Sequence, residues 1–265
     1  MKANGIDNLR ILVGGEGENG LLGKIEPNLQ PEPGVYNDEV LAGLDYLMME
    51  LGKRNMTAVL YFNNAWEWSG GYTQYVAWAN ETPVLVPRVD GWFSYNTFAG
   101  EFVRNERAKQ IFYDHVKYIV SRTNRYTGIK YIDDPAIFSW QISNEPRAFS
   151  SKEVNNKEAF AEWLAASARL IRSLDPNHMI STGSEGYYGC EWDMDLCEAI
   201  HAIDEISYIN CHVWPYNWTW MRGDHMRDDL EQSCQYTEED INMHLALGEK
   251  IQKPVVVEEF GMPRD

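Results

Sequence analysis

Two glutamates stand where apolar, β-branched chain gives way to a turn, a place from which a side chain can meet a ligand without leaving a rigid support. Glu145 lies in Trp140-Gln-Ile-Ser-Asn-Glu-Pro-Arg147, just past such a run, with Asn144 beside it and Pro146 barring extension of the strand. Glu259 closes Pro254-Val-Val-Val-Glu-Glu-Phe-Gly261, again at the end of a run. Two carboxyls facing each other from separate strand ends are the pair that hydrolysis of a glycosidic bond needs. One protonates the leaving oxygen while the other meets the positive charge developing at the anomeric carbon. Taken alone, either acid has a plainer reading: Glu145 as a helix cap or surface acid after a turn, Glu259 as an ion-paired strand end.

The elements that must position them alternate. Strands are expected at residues 9–13, 57–62, 136–142, 179–182, 206–213 and 255–258, and helices at 38–53, 104–127, 157–174, 193–203 and 237–251. Leu41, Leu44, Leu47, Met48 and Leu51 recur at helical spacing, as do Phe160, Trp163, Leu164, Leu170 and Ile171, so both segments carry a stripe that packs on a sheet. This is the βα alternation of a parallel sheet covered on both sides. The longer connections, 14–37 and 64–100, follow strands and hold Trp66, Trp68, Tyr72, Tyr75, Trp78, Trp92 and Tyr95, where ligands bind in such folds. The first βα turn, Gly14-Gly-Glu-Gly-Glu-Asn19, lacks the G-x-G-x-x-G spacing and puts acids where a pyrophosphate would sit, which argues against an open nucleotide-binding sheet. Carboxylates at the ends of several strands favour an α/β fold of the (β/α)8 TIM-barrel type, residues 1–265 forming one domain.

Composition narrows the partners. Among 265 residues, 23 Lys and Arg oppose 40 Asp and Glu, a formal charge of −17 that would repel nucleic acid and anionic membrane. A neutral ligand fits this balance. No apolar run approaches 18 residues, so no membrane span is expected. Aromatic residues make up 13% of the chain, more flat amphipathic surface than one core readily absorbs, so some rings are expected to face a ligand. The four cysteines have no C-x-x-C spacing, and neither a metal site nor a cofactor is read from them; Cys190 and Cys197 could form one local bridge in an oxidising compartment.

Taken in order, Asn8-Leu-Arg10, Asn63-Asn-Ala-Trp66, Trp68-Ser-Gly-Gly71, Trp140 to Arg147, His212-Val-Trp-Pro215 with Trp218, and Glu258-Glu-Phe-Gly261 resemble glycoside hydrolase family 5, and more closely its β-mannanase subgroup. The resemblance implies a retaining endo-β-1,4-mannanase with Glu145 as acid/base and Glu259 as nucleophile. Glu258 is set aside because neighbours on a strand point to opposite faces. Asn144 would bond the sugar 2-hydroxyl or the nucleophile, Arg10 would hold Glu259 ionised, and His212 would orient groups between the acids. Glu145 would have a raised pKa from the charge of Glu259. Arg147 would contact substrate, and Trp66, Trp214 and Trp218 would offer flat faces to pyranose rings. The partners implied are β-mannan and manno-oligosaccharides, outside the cell or in the periplasm. A β-1,4-glucanase of the same family, or a catalytically impaired carbohydrate-binding fragment, are the alternatives. Six strands can be placed where the family has eight, so the chain is expected to be truncated at both ends, without the last strand's Trp. Such an open barrel would expose two sheet edges and invite pairing between chains, which leaves the oligomeric state open.

Overall fold

The computed structural model describes residues 1–20 and 23–262. Its order is β1 (Asn8–Leu12), α1 (Asp38–Lys53), β2 (Thr57–Tyr61), α2 (Gly71–Asn80), α3 (Pro87–Ala99), α4 (Glu106–Val120), β3 (Ile137–Gln141), α5 (Lys157–Leu174), β4 (Met179–Ser181), α6 (Met194–His201), β5 (Ile209–Val213), α7 (Leu230–Ile251) and β6 (Val255–Phe260). The strands are all parallel; β1-β2-β3-β4 form one ladder in chain order and β5-β6 another. Ser207 N–H to Ile180 O at 2.8 Å and His212 N–H to Glu185 O at 3.2 Å stitch the two ladders together. The result is six consecutive strands of a (β/α)8 barrel, with β1 and β6 at its open edges. Val256, Val257 and Phe260 are exposed along the β6 edge.

All six expected strands are present, the inner ones as short runs largely buried on both faces and β1 and β6 partly exposed at the edges. The stripes of α1 and α5 pack as their spacing requires: Leu41, Met48, Leu51, Phe160, Trp163, Leu164 and Ile171 are buried. Helix α1 also buries a charge. Asp45 accepts Arg122 through both oxygens, at 2.8 and 2.6 Å, and the Tyr131 hydroxyl at 2.7 Å. Removing one partner of a buried pair strands the other, so Asp45→Asn is expected to lower unfolding free energy by about 3–5 kcal/mol, read from the urea midpoint.

Two expectations need correction. Residues 71–80 and 87–99 form helices rather than loop, and Tyr72, Tyr75 and Tyr95 are core rather than ligand-facing. Helix α2 is buried on nearly every side, so its apolar residues show no one-sided period to read. The 104–127 helix ends at Val120, and α7 starts seven residues before the expected 237. The Cys190–Cys197 bridge, left open by the sequence, is not formed: Cys197 Sγ lies 3.7 Å from His201 Nδ1, one turn on along α6, and Cys190 Sγ 3.9 Å from Ser184 Oγ.

Candidate active site

The C-terminal strand ends open into a cleft of about 930 Å³ that both glutamates line. Past β3 the chain turns sharply. Asn144 N–H bonds Asn63 O at 2.8 Å and Glu145 N–H bonds Gly183 O at 2.9 Å, tying the turn to the strands on either side. Gly183 is required there, since a Cβ would sit 1.8 Å from Ser143 O and the backbone has φ +78°. Glu145 itself adopts φ +48°, a strained conformation for a non-glycine residue that the two flanking bonds enforce. Its carboxylate is held by the Trp66 indole N–H and by His212 Nδ1, the latter at 2.8 Å.

Across the mouth, β6 presents Glu259. Arg10 of β1 binds one of its oxygens, and Trp214 Nε1 donates to the other at 3.3 Å. His212, on β5, lies between the acids: its Nδ1 is 3.5 Å from Glu259 Oε2, and a donor or acceptor atom from each of Glu145, His212 and Glu259 lies within 4.8 Å of the other two.

Glu258 departs from the expected alternation. Cys211 pairs with Val257 and His212 with Glu259, so Glu258 is the extra residue of a β-bulge. The bulge turns both neighbours inward. Glu258 accepts Gln141 Nε2 at 2.9 Å, lies 3.5 Å from Arg10 Nε and 3.7 Å from His212 Nε2, and so supports from behind the groups that meet Glu259.

Burial sets the protons. His212 would lose charge on burial, but hydrogen bonds to Glu145 and Glu258 and the charge of Glu259 push its pKa up to about 9. Burial raises Glu145 as well, yet the bond and charge of His212, with Trp66 and Arg147, carry it below the ordinary carboxylate value. The expected upward shift of Glu145 is therefore reversed: the proton of the cluster rests on His212.

The remaining expected residues divide. Arg147 is in the cleft, its guanidinium 5.0 Å from the Trp66 ring centre, and it grips Glu185 through two bonds at 2.6 and 2.8 Å. Asn144 donates to Asn64 Oδ1 at 3.0 Å rather than to Glu259, and its carbonyl oxygen has no protein partner. Trp218 is largely buried with a ring face against Tyr188, centroids 4.3 Å apart, and both residues line the cleft. Trp92, expected near a ligand, lines the cleft, and Glu185, Tyr188 and Trp192 line it without having been singled out for it. Glu185 had a usable signal: it too follows a strand, four residues past β4. Burial pushes it up to about 7 against the pull of Arg147. The acid of the first βα turn, Glu16, is wholly buried and accepts the Gly71 N–H at 3.0 Å and the Tyr75 hydroxyl at 3.1 Å, which fixes the loop carrying Trp66 and Trp68. It serves as an anchor between the first βα turn and α2.

Parallel βα units with opposed carboxylates at the strand ends are the architecture of the (β/α)8 glycoside hydrolases. Residues 1–265 match the family model described as GH family 5 beta-mannosidase-like, and the chain belongs to that family. It is 30% identical over 242 residues to putative mannan endo-1,4-beta-mannosidase 9 of Oryza sativa subsp. japonica, covering 88% of this chain and 54% of that protein. Mannan endo-1,4-beta-mannosidase 1 of Solanum lycopersicum is 31% identical over 249 residues, covering 88% and 57%. The chain thus spans little more than half the length of these curated relatives. Among solved structures, the Glycoside Hydrolase Family 5 Mannosidase from Rhizomucor miehei superposes with TM-score 0.89 at 33% identity, over 100% of this chain and 62% of that one. A variant of it in complex with mannosyl-fructose gives 0.90 at 32%, with the same coverage.

Proposed function

We propose that this chain carries the catalytic site of a retaining β-mannan hydrolase that cuts β-1,4-mannosidic bonds. The observation that carries this reading is the spacing of Glu145 and Glu259, whose oxygens come within 4.8 Å around His212. That fits the separation of about 5–5.5 Å typical of retaining enzymes; the wider gap of about 6.5–9.5 Å leaves room for a water between the acids. In the first step Glu259 attacks the anomeric carbon while the protonated Glu145 carboxyl gives its proton to the departing glycosidic oxygen, leaving a mannosyl ester on Glu259. In the second, Glu145 takes a proton from water, which attacks the same carbon and frees Glu259. Before the first step the proton passes from His212 Nδ1 to Glu145 across their 2.8 Å bond as substrate displaces water from the cleft.

The relatives named as mannan endo-1,4-beta-mannosidases support an internal cut; attack at chain ends is the alternative that the product pattern decides. A polymer substrate that does not cross membranes points to action outside the cytoplasm.

Mannohexaose digestion tests this. We expect release of shorter β-manno-oligosaccharides first formed as β-anomers by NMR, with little release from carboxymethylcellulose. Mannobiose, mannotriose and mannotetraose as early products support the internal cut, and mannose with mannopentaose the terminal one. Initial α-anomers, or equal action on both polymers, would overturn the proposal.

A further inference from the structure

The turn after β4 carries an unusual residue for its conformation. Glu191 and Trp192 both have φ +57°, the left-handed region that glycine or asparagine occupies at least cost and a bulky side chain rarely does. Neighbouring bonds impose it: Cys190 N–H to Gly186 O at 3.0 Å, Glu191 N–H to Tyr188 O at 3.2 Å and Trp192 N–H to Tyr187 O at 3.1 Å. Glu191 uses its side chain, accepting the Ser150 N–H at 2.7 Å. Asp193 on the other side caps α6 at Leu196 N–H, 3.1 Å, and pairs with Lys157 at 2.8 Å. Trp192 has no such role. Its ring meets the Tyr188 ring at a steep angle, 67° with centroids 5.1 Å apart, and the residue is 60% exposed, within the wall of the cleft.

A chain of contacts relates this ring to the acid. Trp66 bonds Glu145, Arg147 lies over Trp66 at 5.0 Å and over Tyr188 at 6.0 Å, and Tyr188 touches Trp192. Trp192 thus lines the same cleft as the reacting groups and reaches Glu145 through this relay of side chains.

We infer that Trp192 is a chain-length determinant: a rigid, solvent-facing platform on which a sugar residue remote from the cleaved bond stacks. The inference rests on the mannan reading of the site. A pinned turn loses little freedom when a pyranose covers the ring, and the C–H-rich sugar face removes apolar surface from water. An exposed tryptophan kept in a strained backbone, lining a cleft and touching one ring edge-on so that a face stays open, is what such a subsite requires.

Calorimetry on Glu145→Gln protein, which binds without turnover, separates the outcomes. Affinity should rise from mannobiose to mannohexaose, and adding Trp192→Ala should weaken mannohexaose by about 3–10-fold, as expected for one aromatic contact, while leaving mannobiose unchanged. Trp192→Phe should keep most of the gain. Trp192→Gly should lose the gain with Tm unchanged or raised, because glycine accepts φ +57° freely. Equal weakening of both ligands with a lowered Tm would show a merely structural role, and unchanged mannohexaose binding would refute the platform. Absence of binding to manno-oligosaccharides of every length in the Glu145→Gln protein would overturn the mannan reading and this inference together.

Discussion

Replacing Glu259 with glycine is expected to lower hydrolysis of an aryl β-mannoside by about 10⁴–10⁶-fold, the scale on which loss of a covalent nucleophile acts. Azide should restore turnover by entering the space the carboxylate leaves. It then attacks from the α-face and yields the α-mannosyl azide. Glu145→Gly should behave in the opposite sense. A 2,4-dinitrophenolate leaves without protonation, so Glu259 still forms its ester, and azide placed where the base stood attacks from the β-face to give the β-mannosyl azide. On mannan, whose leaving group needs the proton, the same variant should lose about 10²–10⁴-fold. Neither glycine strains the chain, and at position 145 it relieves φ +48°. Glu258→Gly decides between the adjacent glutamates: it should lose activity without azide rescue, since Glu258 acts from behind through Arg10, Gln141 and His212. NMR assignment of the azide products checks all three, and α-mannosyl azide from Glu258→Gly would transfer the nucleophile's role to that residue.

What was legible in advance divides along physical lines. Buried parallel strands announce themselves because burial on both faces demands an unbroken β-branched run, so Thr57–Tyr61 and Ile209–Val213 were visible and so were the acids at their neighbours' ends. Helix α2 was not, because a helix apolar on all sides carries no periodic stripe. Strict alternation set Glu258 aside, but it does not hold here: a bulge, which depends on how β5 pairs with β6, turns Glu258 inward as well. The proton's resting place was equally hidden. Glu145 was expected to hold it, and only the tertiary placement of His212 among three carboxylates reverses that. Tyr188 was hidden for a similar reason, since which ring comes to stack on Trp218 beside the cleft depends on packing order.

That placement of the proton makes pH the sharper probe. With Glu145 drawn below its usual range and His212 raised to about 9, the cluster holds one transferable proton at neutral pH, on the imidazole. Activity should thus persist on the alkaline side until His212 releases it: fully present well below 9 and lost as pH rises through about 9. A carboxyl acting as acid alone would give a limb set by its own burial and by Glu259, and so at lower pH. His212→Asn leaves that situation behind. The alkaline limb of kcat/KM is expected to move down by about 1–3 pH units, the range that one neighbouring charge commands, and the maximum rate to fall by about 10²-fold. Aryl mannosides with a dinitrophenolate leaving group should show neither the limb nor the shift in the glycosylation step, because that step no longer consumes a proton. A kcat/KM profile for mannohexaose whose alkaline limb is the same in both proteins would mean that Glu145 acquires its proton without His212, and would reduce the imidazole to a bridge between the two carboxylates.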